Sequence, residues 1–134
     1  MLSEYIENLL SACPEITEVW LIGSRANNKA QEDSDWDLFV FGNDHTLSTL
    51  QENLSLRHPE IDLLIVYNGD DFREPWETEI SKAKSGSLTG WEWELDKDSL
   101  VRAHYNGTKW KDDEFGVTVT REVAKRVWPK AGRR

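Results

Sequence analysis

Residues 19–41 read VWLIGSRANNKAQEDSDWDLFVF, and this stretch decides the fold. An apolar run ends at Gly23-Ser24, ten residues follow, and Asp35-Trp36-Asp37 then opens a second apolar run. Short β-branched and aromatic runs bounded by Gly and polar clusters read as strands. On a strand, Asp35 and Asp37 project from one face, about 7 Å apart along the backbone, while Trp36, Leu38 and Val40 take the other. Two carboxylates so spaced suit a divalent cation that holds phosphate oxygens. The small-residue turn before them offers backbone N–H groups to the same phosphates. The stretch therefore points to nucleotide chemistry.

Outward from it, Leu2, Tyr5, Ile6, Leu9 and Leu10 recur at helical spacing and predict a helix over 3–12, ended by Pro14. Residues 16–22 predict the first strand and 35–41 the second, closed by Gly42-Asn43. Between them Ser24 is expected to cap a brief helix or loop that runs into the polar residues 27–34. Leu47, Leu50, Leu54 and Leu56 predict a helix over 46–57, stopped by Pro59, and residues 61–67 predict the third strand. Asp62 shares a face of that strand with Leu64 and Val66. An ionised carboxylate among Ile61, Leu63, Leu64, Ile65 and Val66 is costly without a partner. Neighbouring carboxylates also raise one another's pKa. A bound Mg²⁺ removes both conflicts, so Asp35, Asp37 and Asp62 read as a metal site.

Gly23-Ser24, the ten-residue spacer, Asp35-x-Asp37 and Asp62 inside EIDLLIV resemble the signature of the nucleotidyltransferase superfamily that includes polymerase beta. The spacing is similar to that of its minimal members, the short nucleotidyltransferases found as antitoxins beside HEPN-domain toxins. The likeness covers residues 16–67. It implies an α/β nucleotidyltransferase fold, a small mixed, twisted sheet with helices largely on one side. It implies an enzyme that moves a nucleoside monophosphate from an NTP, ATP first among them, to an acceptor hydroxyl and releases pyrophosphate. Mg²⁺ or Mn²⁺ is the implied cofactor. By the same resemblance Asp35 and Asp37 bind both metals, while Asp62 completes the second metal site and helps deprotonate the attacking hydroxyl. Gly23 lets the backbone approach the phosphates, Ser24 donates its hydroxyl and N–H, and Arg25 pairs with a phosphate oxygen. Minimal members often carry a second Arg soon after, where Asn27-Asn28-Lys29 stands here. The alternative implied is a catalytically weak, antitoxin-like module that binds a HEPN-type partner. Asp-x-Asp alone also marks metal-dependent glycosyltransferases, but those usually need a larger domain and no upstream Gly-Ser.

Beyond residue 67 the signals weaken. Asn68-Gly69-Asp70 predicts a turn, and Phe72, Trp76 and Ile80 are spaced to share a helix face. Trp91, Trp93 and Leu95 alternate with acidic residues, which predicts an amphipathic strand over 91–95. Core packing is expected of both Trp rather than base stacking. A short helix over 98–105, a turn at Asn106-Gly107, a loop at 112–114 and a last helix capped by Thr120 and running to Trp128 complete the expectation. Tyr105 to Trp110, YNGTKW, resembles a tail of small stand-alone members. Larger members hold the acceptor on a helical domain. This chain has little room for one, so the acceptor (protein, RNA end or small molecule) is expected to need a second subunit or a partner.

At 134 residues the chain is expected to be one domain, with 68–134 an extension of it. A 38% apolar fraction and seven Trp supply a core. A net charge of −9 repels a nucleic-acid backbone, so no bulk binding of duplex DNA is expected. Arg121, Lys125, Arg126, Lys130, Arg133 and Arg134 make the end locally basic, read as a solvated helix and tail. A single Cys13 excludes an internal disulfide and a thiolate zinc site, and a reducing cytoplasm is expected. The start, MLSEYIENLL, is too acidic and short for a secretory signal, and no apolar run approaches the ~20 residues that span a membrane. His45, His58 and His104 sit apart and read as structural or solvated.

Overall fold

The computed structural model describes residues 2–27, 34–76, 84–112 and 116–129. Helix α1 (Leu2–Ala12) buries Tyr5, Ile6 and Leu9 along one stripe. Strands β1 (Glu18–Ile22) and β2 (Trp36–Phe41) follow, then α2 (Asp44–Gln51), a 3-10 turn (Leu54–Leu56) and β3 (Ile61–Val66). The remaining elements are β4 (Asp71–Arg73), β5 (Ser85–Ser87), β6 (Glu94–Leu95), β7 (Arg102–Asp112) and β8 (Gly116–Trp128). These eight described strands form one mixed sheet in the order β5-β4-β3-β2-β1-β8-β7-β6. Only β2 and β3 pair in parallel, and the α2 segment provides the crossover that parallel neighbours require. Asn43 starts α2 with a capping box, its side chain accepting the Thr46 N–H at 3.0 Å while the Thr46 hydroxyl accepts the Asn43 N–H at 3.2 Å.

The period-2 alternation of the strands sorts the core into two layers. Val19, Leu21, Leu38, Val40, Ile61, Leu63 and Ile65 pack with Leu9 and Leu50 on the helical side. Trp20, Ile22, Phe39 and Val66 face the other way, against Phe72, Leu88, Trp91, Trp93 and Tyr105. Both described α-helices thus lie on one side, as expected, and Asp37 and Asp62 project from the side that carries the aromatic layer. No described helix is long and apolar enough to cross a membrane.

The second half departs from what its sequence predicts. The expected helix over 120–128 is strand β8, held between β1 and β7. Two ladders of hydrogen bonds outweigh the weak local helix signal, and Val117, Val119 and Val123 already carry the alternation a strand wants. The expected helix over 98–105 is a turn followed by β7. Asn106-Gly107 does not reverse the chain. It lies inside β7 opposite Arg121 and Thr120, and the pairing of β7 with β8 continues to Asp112 opposite Gly116. The strand expected over 91–95 shrinks to β6, because Trp91 belongs to a turn in which its N–H donates to Ser87 O at 3.1 Å. Phe72 sits on β4 rather than on a helix, Trp76 Nε1 donates to Leu50 O at 2.7 Å, and Ile80 lies outside the described residues. The loop expected at 112–114 also lies mostly outside them, with Asp112 ending β7. The helix over 46–57 divides, since Leu54, 67% exposed, has no core to reach.

Candidate active site

The parallel register of β2 and β3 sets Asp37 directly beside Asp62. Burial pushes the Asp37 carboxyl up to about 6, and the charge of Asp62 and a hydrogen bond with it add to the rise. Asp35 adds a smaller push, and Lys84 pulls the other way. Asp35 is exposed and precedes the ladder, which begins at Trp36 opposite Ile61. Among the described residues, no three His, Cys or carboxylate side chains are grouped to hold a metal ion. Asp37 and Asp62 are in contact, while Asp35 lies off the end of the strand pairing and reaches Asp37 through its charge.

A cavity of about 470 Å³ opens at this pair, lined among others by Gly23, Asp37, Asp62, Lys84, Trp91 and Tyr105. Two hard carboxylates set side by side in such a cavity form a donor set that fits a divalent cation, which would relieve their repulsion.

Gly23 ends β1 in a left-handed conformation, φ +74°, and a Cβ there would stand 2.3 Å from Asp37 Oδ2. Only glycine fits that approach. The turn closes through Ala26 N–H to Gly23 O at 3.1 Å and Asn27 N–H to Ser24 O at 3.2 Å. The Gly23 N–H donates to Tyr105 Oη at 3.2 Å. Ser24 sits half-buried in the turn. Arg25 donates through Nε and Nη2 to Ser34 O at 3.1 and 2.8 Å, and its guanidinium lies 4.1 Å over the Trp36 ring. These contacts tie the far end of the spacer to its start.

Three residues at this place carry no signal in the sequence motif. Asn27 donates to Gly23 O at 2.8 Å and to Val123 O at 3.1 Å, and accepts the Val123 N–H at 2.8 Å. Lys84 brings a cation into the cavity. Tyr105 is buried, and burial first, then Glu122 and Asp37, hold its phenol up at about 12 against the lowering effect of the Gly23 N–H. Trp91 stacks on Tyr105 with centroids 5.3 Å apart and packs on Phe72 and Phe39, so both Trp91 and Trp93 belong to the core as expected.

The other candidates are structural. His45 pairs with Glu15, His104 with Asp96 at 2.6 Å, and His58 Nδ1 accepts the Glu60 N–H at 3.0 Å. Cys13 is fully buried, and burial and then Glu15 push its thiol up. Arg121, from the basic end, is an exposed strand residue paired with Glu94 at 3.3 Å.

Comparison with protein families finds one that fits this arrangement. The family model described as Polymerase beta, Nucleotidyltransferase matches residues 4–89, which include Gly23, Asp37, Asp62 and Lys84 but not β6, β7 or β8. No curated protein and no solved structure matches the chain.

Proposed function

Because the chain belongs to the polymerase beta nucleotidyltransferase family, we propose that it transfers a nucleoside monophosphate from an NTP, ATP first, to an acceptor hydroxyl with release of pyrophosphate. The contact between Asp37 and Asp62, in a cavity that also holds Gly23 and Lys84, supports this most directly. Asp37 and Asp62, with Asp35 beside them, would hold Mg²⁺ or Mn²⁺. Bound there, the cation would neutralise charge on the phosphoryl oxygens. Lys84 pairs with a phosphate oxygen across the cavity, and Ser24 donates its hydroxyl to another. Asp62, the exposed member of the pair, takes the proton of the acceptor hydroxyl. Arg25, engaged with Ser34 and Trp36, holds the two described ends of the spacer together.

After the 3-10 turn, the described residues are strands and turns only. The acceptor is proposed to arrive on or with a partner, of which a HEPN-type helical protein is the expected kind. Incubation with each labelled NTP, Mn²⁺ and cell lysate tests both steps. Label is expected on one acceptor with the natural chain and at background with Asp37→Asn or Asp62→Asn. Equal labelling by the variants would rule out this site. No labelling by the natural chain, together with tight binding of a HEPN-type protein, would leave the antitoxin-like module as the function.

A further inference from the structure

The matched region ends at residue 89, yet the turn at its centre is held by strands beyond that point. Gly23 donates its N–H to Tyr105 Oη on β7 at 3.2 Å. Its carbonyl accepts from Asn27 at 2.8 Å, and the Asn27 amide in turn pairs with both backbone groups of Val123 on β8, at 3.1 and 2.8 Å. That last pairing copies the hydrogen bonds one strand residue gives another. Both polar groups of the Gly23 backbone are thus fixed from β7 and β8. Gly23 also lies so close to Asp37 that a Cβ would stand 2.3 Å from Oδ2, so the carboxylate feels any shift of the turn. Tyr105 has little freedom of its own. It is 3% exposed, stacked on Trp91 at 5.3 Å and 15° and on Trp93 at 6.0 Å and 23°.

We infer that Tyr105 is a positioning residue for this site: its hydroxyl, with Asn27 opposite, fixes the Gly23–Ser24 turn against Asp37. The consequence for turnover rests on the nucleotidyl transfer proposed above. The hold on the turn does not, and it is measured separately. Tyr105→Phe keeps the ring stack and removes only the hydroxyl that accepts the Gly23 N–H. Hydrogen exchange followed by NMR is expected to quicken at the Gly23 amide by about tenfold. The amides of Trp20 and Leu21 in β1 keep their protection, which checks that the fold survives. Asn27→Ala loosens the same turn from its other side and is expected to act in the same direction. In the transfer assay, with rates taken per folded protein, Tyr105→Phe is expected to lower kcat about five- to tenfold while KM for the NTP stays within about twofold, whereas a general loss of stability would vanish on that normalisation. Unchanged Gly23 exchange in Tyr105→Phe overturns the inference, and so does faster exchange with unaltered kcat. A natural chain that transfers no nucleotide overturns the functional reading instead. In that case the exchange comparison still decides whether Tyr105 holds the turn.

Discussion

Asp37 shows how one residue carries both a cost to the fold and a capacity of the site. Burial and Asp62 raise its carboxyl to about 6, so the native state keeps a proton there that the unfolded chain gives up near the ordinary Asp value. Stability from this group is full below about pH 4 and is lost as pH rises through about 6. Asp37→Asn keeps the shape and removes the repulsion. We predict that it melts several degrees higher than the natural chain at about pH 8 and loses the pH dependence between about pH 4 and 7. Thermal melts across that range test this, and a variant with the natural pH dependence would assign the effect to another group. Gly23 is constrained by the same carboxylate from the other side. Gly23→Ala places a methyl against Asp37 Oδ2 at a backbone angle that L residues rarely adopt. The predicted cost is about 1–3 kcal/mol by chemical denaturation, together with loss of NTP binding by calorimetry. An alanine variant as stable as the natural chain would mean that the turn relaxes freely.

At the scale of elements, the first half is legible in the sequence because each segment carries its own period. α1 shows the 3.6-residue stripe of Tyr5, Ile6 and Leu9. β2 and β3 are short apolar runs read as strands, and the strand period of two places Asp37 with Phe39 and Asp62 with Leu64 before any pairing is known. The register that makes Asp37 and Asp62 neighbours is a tertiary fact, since it depends on where two separate strands align. β8 is the opposite case. REVAKRVW supports a helix and a strand about equally, and only its place between β1 and β7 decides. Tyr105 and Asn27 escape sequence reading for the same reason, because their partners lie 82 and 96 residues away. Asn27 tests how far the C-terminal strands are bound into the first half. Asn27→Ala leaves both backbone groups of Val123 without their amide partner, so we predict a loss of about 1–3 kcal/mol. Urea unfolding measures it. A loss within about 0.5 kcal/mol would show that water replaces the amide without penalty.

For the molecule as a whole, the acidic surface and the carboxylate pair press in the same direction. A net charge of −9 destabilises the compact state through self-repulsion. Asp37 and Asp62 concentrate that repulsion at one cavity of the native sheet, and the unfolded chain, free to separate them, is spared it. A divalent cation held there binds the native state in preference to the unfolded one. By linkage it should add about 2.7 kcal/mol at a hundred times its dissociation constant, a rise in melting temperature on the order of 10 °C. General screening also helps an acidic protein, so the comparison needs NaCl at matched ionic strength and a variant that lacks the site but keeps most of the charge. We predict that Mn²⁺ raises the melting temperature well beyond the NaCl control, that Asp37→Asn plus Asp62→Asn removes this excess, and that Asp35→Asn, off the end of the ladder, removes only part of it. The cation's effect should fade as pH falls below about 6, where a proton occupies Asp37. Calorimetric scans of the three proteins at about pH 5 and pH 8 carry the test. An Mn²⁺ excess that survives the double substitution would place the cation elsewhere on the acidic surface.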